Sequence, residues 1–250
     1  MKGTEGFPVR VRFDKRGKVR WIGHRDVARA FERAFRIEAL PLAFSKGFNP
    51  HPKVSFGLAL STGFESEAEY LDVEFAILVG LEDLPARLTA ALPEGMSVTG
   101  MVPLPSRAPA LQEETTLVAY RVEVVLPTGA ELELATLATM VTKALSRESL
   151  PVRQRRKGRE AMHDIRPAIR RIDVVGLGDH GVVCEMELCT HPRGVKPDEV
   201  FSAITAVDPA SEQFVAGHVV RTHQWIERDG TRHEPLEAGA RFHAQELCAS

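Results

Sequence analysis

The sequence predicts an α+β fold built from two tandem βαββαβ units. Three observations carry this: short apolar/polar alternations, longer apolar runs of helical period, and an order of these runs that occurs twice. Val9, Val11 and Phe13 alternate with Arg10, Arg12 and Asp14, the pattern of a half-buried strand. Lys15–Lys18 then reads as a turn and Val19–Ile22 as a second extended piece. From His24 to about Leu40 the period becomes helical, with Val27, Ala30, Phe31, Ala34 and Phe35 on one face and Arg25, Arg29, Arg33 and Arg36 on the other. Gly23 stands at the N-cap, and Asp26 puts a carboxylate in the first turn, where the helix dipole favours it.

Further along, Val54–Leu60 and the stretch around Leu71, Val73 and Phe75 alternate as strands. Residues 81–92 read as a short helix and 96–102 as a strand. This strand–helix–strand–strand–helix–strand order is the ferredoxin-like one. It returns more loosely as strands over 120–126, 152–156, 169–175, 182–188 and 215–225, with helices over 131–146 and 197–207. The expected organisation is a first unit over residues 1–104, a linker over 105–116, a second unit with a basic hairpin over 117–227, and a polar tail over 228–250.

Composition bounds the function. No apolar run approaches the ~20 residues of a membrane span, and the N-terminal residues lack a signal-peptide h-region. Three cysteines, Cys184, Cys189 and Cys248, make no disulfide framework, so a cytoplasmic protein is expected. Net charge is −2, but the charges are segregated. Residues 1–60 carry 13 basic and 5 acidic groups, and residues 151–171 carry 8 and 2; the intervening and final stretches are acidic. Such blocks can create a local positive field on a near-neutral protein.

The run Ser45-Lys46-Gly47-Phe48-Asn49-Pro50-His51-Pro52-Lys53-Val54-Ser55 has the residue types of a binding loop. Gly47 permits a tight turn, and Pro50 and Pro52 restrict φ, which lowers the entropy lost on binding. Lys46 and Lys53 are cations; Ser45, Asn49 and Ser55 offer neutral hydrogen bonds; Phe48 offers a ring for stacking. A second candidate is Arg20 with His24, Arg25 and Arg29, where an imidazole and arginines meet a helix start. A third is Arg153, Arg155, Arg156 and Lys157, with Arg166 downstream, a density that suits phosphate contacts. His24 and His51 are the candidate acid–base groups. Cys184 and Cys189 are five apart on an expected strand and face opposite ways, and the chain has no Walker A, GxGxxG, GxSxG or CxxxCxxC motif, so neither a metal nor a cofactor is expected.

Several of these stretches resemble one bacterial family. They are Arg12-Phe13, Arg29–Ala34, Leu40–Ser45, Gly47–Lys53, Ser55-Phe56, Glu69–Asp72 and Asp164-Ile165-Arg166-Pro167, together with His24 and Asp26. The family is the radical-SAM-linked, or radical-SAM-associated, domain-of-unknown-function family. The resemblance implies a radical SAM protein as partner, with ribonuclease E/G or ribosome-related factors nearby, and hence a role near RNA or tRNA. Gly23 and Arg25 depart from the pattern, which has Ser and an apolar residue there. The expected function is RNA or tRNA binding beside a separate radical SAM enzyme, non-catalytic on its own. The alternatives are a metal-independent RNA-processing or RNA-modifying enzyme using His24 or His51, and a protein–protein adaptor.

Overall fold

A computed structural model describes residues 6–105, 108–156, 159–208 and 213–240. It is a mixed α/β structure whose strands form a large, mostly antiparallel sheet flanked by helices. The chain divides into two compact units, Met1–Thr115 with His223–Ser250, and Thr116–Thr222.

In the first unit β1 (Phe7–Lys15) pairs antiparallel with β3 (Glu65–Phe75) and β4 (Met96–Pro103), and β2 (Val54–Phe56) pairs with β3. The strand order β4-β1-β3-β2 follows. Helices α1 (His24–Ile37) and α2 (Leu84–Ala91) bury Val27, Phe31, Ala34, Phe35, Leu84 and Leu88 against Val9, Val11, Phe13, Leu71, Val73 and Phe75. These are the residues of one strand parity and one helix face, so the pattern in the sequence places the core correctly. The other parity is covered as well. Arg10 is fully buried, and Tyr70 packs with Ala68 and Leu111.

Three expectations need correction here. Residues 105–116 are not merely a linker, because α3 (Leu111–Glu114) buries Leu111 and Glu114. Residues 228–250 are not simply a polar tail, because β11 (Thr231–His233) pairs with β10 (Val215–Arg228), residues 235–240 are helical, and Leu236 packs on the Ala68–Tyr70–Leu111 cluster. Lys15 is not in a turn. β1 runs through it, and a 3-10 helix over Gly17–Trp21 replaces the expected extended piece. Gly95 makes that turn possible: at φ +91° it brings its carbonyl to 2.7 Å from the Arg16 N–H, and a Cβ there would lie 2.3 Å from Arg16 O.

In the second unit β5 (Leu117–Val125) pairs antiparallel with β9 (Val182–Cys189), and β9 with β8 (Ile169–Leu177). The order is β10-β5-β9-β8, with α4 (Leu134–Leu145) and α5 (Pro197–Ala206) as the helices. β6 (Pro151–Arg156) and β7 (Arg159–Asp164) form a separate hairpin. β10 belongs to this unit only up to Thr222; from His223 it is part of the first, where Gln224 Nε2 donates to Ala68 O at 2.6 Å. Cys184 is buried on β9, and burial first, then Asp173, pushes its thiol up to about 12, so it is an inert core residue.

The Asp164–Pro167 stretch is braced by hydrogen bonds to backbone groups around it. Asp164 Oδ1 accepts from the N–H groups of Leu150 and Arg166 at 2.8 and 2.9 Å. Arg166 donates to Leu145 O, the end of α4, from Nε and Nη2 at 3.2 and 3.1 Å. Ile165 is fully buried between them.

Two predictions follow from this packing. Arg10→Ala leaves Asp72 and Glu114 without their buried cation, and chemical denaturation should show a loss of about 3–5 kcal/mol; a loss below 1 kcal/mol would contradict it. The two backbone N–H bonds hold the Asp164 carboxyl below its ordinary range. Its stabilisation is therefore present above the unfolded value of roughly 4 and is lost as pH falls through the lower folded value. Below about pH 4 the Asp164→Ala variant should lose less stability than the parent, and parallel stability–pH curves would refute this.

Candidate functional site

The Ser45–Ser55 segment leaves the core as a closed loop held at its base. Ser45 N–H donates to His51 O at 2.8 Å, and His51 N–H donates to Ser45 Oγ at 3.0 Å. Below that closure Phe44 bridges Pro52, Lys53 N–H donates to Ala43 O, and Leu42 bridges Phe75 at the end of β3. Lys46, Gly47, Phe48, Asn49, Pro50 and His51 are all exposed, and the Phe48 ring is 102% exposed. A phenyl ring wholly in water has no packing role, so Phe48 is not part of the core. Gly47 sits at φ +146° with open space around it, a backbone conformation that side chains disfavour.

The cations of the first unit are not equivalent. Lys53 Nζ lies 2.7 and 2.9 Å from the two carboxylate oxygens of Glu74, so its charge is neutralised at the loop base. Arg20 stands 3.4 Å from Glu65 and 5.2 Å over the Trp21 ring, and Arg29 is 3.3 Å from Asp26. Arg25, Arg33, Arg36 and Lys46 are exposed and form no ion pair among the described residues. Of the expected binding residues, Lys46 and Arg25 therefore keep a free charge. Ser55 is exposed on β2.

His24 comes to the far end of the same segment. Its ring meets Phe56 edge-on at 5.1 Å, and Phe56 in turn meets Phe13 at 6.5 Å and Phe31 at 6.1 Å. Beneath this contact lies a small cavity of about 20 Å³, lined by Phe13, Lys15, His24, Phe56 and Glu69 among others. Lys15 is 3% exposed and donates from Nζ to Arg20 O and Ile22 O, both at 3.1 Å. Burial pulls its ammonium below the ordinary lysine range, and the charge of Glu69 partly offsets that. Glu69 is 8% exposed and sits opposite Phe13 in the β1–β3 register.

Sequence reasoning missed Lys15 as a site residue and noticed Glu69 only within the family pattern. A signal was present: Lys15 continues the inward parity of Val9, Val11 and Phe13, and Glu69 that of Leu71, Val73 and Phe75. A charged residue on an apolar parity is a buried charge that needs partners.

The third basic candidate lies in the second unit. Arg153, exposed, stands 3.7 Å from Glu160 across the β6–β7 hairpin. The side chains of Arg155 and Arg156, and Lys157 altogether, lie outside the described residues. Arg166, with three of its donors on backbone carbonyls, is a capping residue rather than a free phosphate contact. Among the described residues no group of three or more His, Cys, Asp and Glu could hold a metal ion, and no helix is long and apolar enough to cross a membrane.

Comparison with curated proteins gives no match. Among solved structures the chain is similar to a Cbf5-Nop10-Gar1 complex, at TM-score 0.46 and 13% identity over 88% of this chain and 49% of that one. It is also similar to an H/ACA RNP bound to a substrate RNA containing 2'-deoxyuridine, at TM-score 0.45 and 8% identity over 88% and 48%. An archaeal box H/ACA sRNP Nop10-Cbf5 complex gives TM-score 0.42 and 10% identity over 86% and 47%. The chain spans about half the length of these chains, and a likeness this distant carries no functional argument. The sequence is another matter: residues 9–197, which include His24, the Ser45–Ser55 loop, Glu69 and the Asp164–Pro167 stretch, match the family described as "Uncharacterized protein conserved in bacteria (DUF2344)", and the chain belongs to that family.

Proposed function

We propose that this protein binds single-stranded RNA on the first unit, through the Ser45–Ser55 loop and the exposed arginines of α1. The observation that carries the reading is Phe48, wholly solvent-exposed two residues from Lys46, which has no ion pair among the described residues, on a loop closed by the Ser45–His51 hydrogen bonds. A rigid loop that presents a ring and a cation suits a base and its phosphate, since stacking is worth roughly 1–3 kcal/mol per base. Arg25, Arg33 and Arg36 add unneutralised charge on the same unit for the backbone of the strand. The strand orders β4-β1-β3-β2 and β10-β5-β9-β8 support the reading of both units as ferredoxin-like, each with its first strand central. The family resemblance supports a separate radical SAM protein as partner.

Retention of a 20-nucleotide single-stranded RNA on a filter tests the reading. With about four phosphate contacts, affinity should fall roughly fifty-fold between 50 and 200 mM salt. Phe48→Ala should weaken binding by about tenfold or more at either salt concentration, because it removes stacking rather than charge. Lys46→Ala should flatten the salt dependence. Binding that is absent, or that ignores salt and both substitutions, would refute the proposal.

A further inference from the structure

RNA binding gives no task to the cavity beneath His24. At about 20 Å³ it has room for one water, and a water is held where two to four polar groups converge. Three such groups line it. Glu69 brings a carboxylate that is more than nine-tenths buried. Lys15 spends two of its three donors on Arg20 O and Ile22 O, and its third has no acceptor among the described residues. His24 is exposed at the edge of the cavity, fixed edge-on against Phe56. Phe13, Val27, Phe56, Leu58 and Leu60 add apolar lining, with Gly57 and Tyr70 beside them, and lower the local polarity, which strengthens each electrostatic contact inside. Arg25, the next residue of α1, is exposed and has no ion pair among the described residues, so the helix start carries a cation available to the RNA backbone.

A carboxylate, an ammonium and an imidazole around a one-water space form the constellation of a water-activating site. We infer that this cavity is the hydrolytic site of a phosphodiesterase acting on the RNA strand that the α1 and loop surface binds, and the inference rests on that binding reading. Glu69 takes a proton from the water at the open mouth of the cavity as the water oxygen forms a bond to phosphorus. The P–O bond to the leaving ribose oxygen breaks, and that oxygen takes a proton from the His24 imidazolium. The proton on Glu69 then returns to His24 through solvent, leaving one strand with a terminal phosphate and the other with a hydroxyl. Lys15 is a positioning residue: it ties down the Arg20–Ile22 turn that leads into His24 and holds the water beside Glu69.

The test uses the full chain, an end-labelled 20-nucleotide single-stranded RNA, and water enriched in oxygen-18. The parent protein should cut the RNA and place one heavy oxygen in the new terminal phosphate. In single turnover, with protein at concentrations that saturate the RNA, Glu69→Gln and His24→Gln should each slow cleavage by roughly 100-fold or more. His24 is exposed, so its substitution tests chemistry even if Glu69→Gln disturbs folding. A cyclic phosphate product, with no heavy oxygen, would overturn the water as nucleophile. RNA retained but uncut would overturn the hydrolytic inference and leave the binding reading standing. RNA not retained at all would remove the binding reading and this inference with it.

Discussion

A guanidinium with no exposure to solvent must be neutralised and hydrogen-bonded on the spot, and Arg10 imposes that constraint on the first unit. Its Nε and Nη2 form a fork to Asp72 on the neighbouring strand at 2.8 and 3.0 Å. Both terminal nitrogens lie 3.4 Å from Glu114, and Nη1 also donates to Pro235 O at 3.3 Å. Glu114 in turn accepts from Arg228 at 2.6 Å. One side chain thus joins β1, β3, α3, the end of β10 and the segment after β11. α3 and the segment after β11 are short and would have little reason to stay in place alone. Removing the hub would leave Asp72 without its forked partner and the buried Glu114 with Arg228 as its remaining cation, both at a cost in a low-dielectric interior.

That arrangement sets the register of β1 on β3, and the register sets the cavity. With Arg10 opposite Asp72, Phe13 falls opposite Glu69, and the bulge beyond Phe13 brings Lys15 opposite Ser66. The outward parity carries the ionic hub and the inward parity carries Phe13, Lys15 and Glu69 under His24. The two charged networks are thus opposite faces of the same strand pair. The loop presents its cation and ring from the neighbouring edge, where β2 joins β3. A rigid sheet holding function on a protruding loop is the usual division of labour.

Much of this was legible in the residues. The α1 stripe, the alternation of β1 and β3 and the hairpin-prone Gly-Phe-Asn-Pro run each state their geometry locally, through periods of 3.6 and 2 and through proline and glycine chemistry. What was not legible depended on distant partners. Lys15 looks like part of a basic turn until the Arg20 and Ile22 carbonyls are seen to accept its hydrogens. Leu111 to Glu114 looks like linker because its partners, Tyr70 and Arg10, lie some 40 and 100 residues earlier. Residues 231–236 look polar because one Leu, Leu236, supplies most of their anchoring apolar surface. Arg166 looked like a phosphate ligand, since nothing in its neighbours says that the end of α4 lacks a cap.

The central claim is that a strand of RNA lies on the first unit with a base on Phe48. Ultraviolet crosslinking of bound single-stranded RNA, followed by peptide mass spectrometry, reads that placement directly. Nucleotide adducts should concentrate on the peptide carrying Lys46 to His51 and disappear from it in the Phe48→Ala variant. Adducts confined to the second unit, or unchanged by the substitution, would contradict the account.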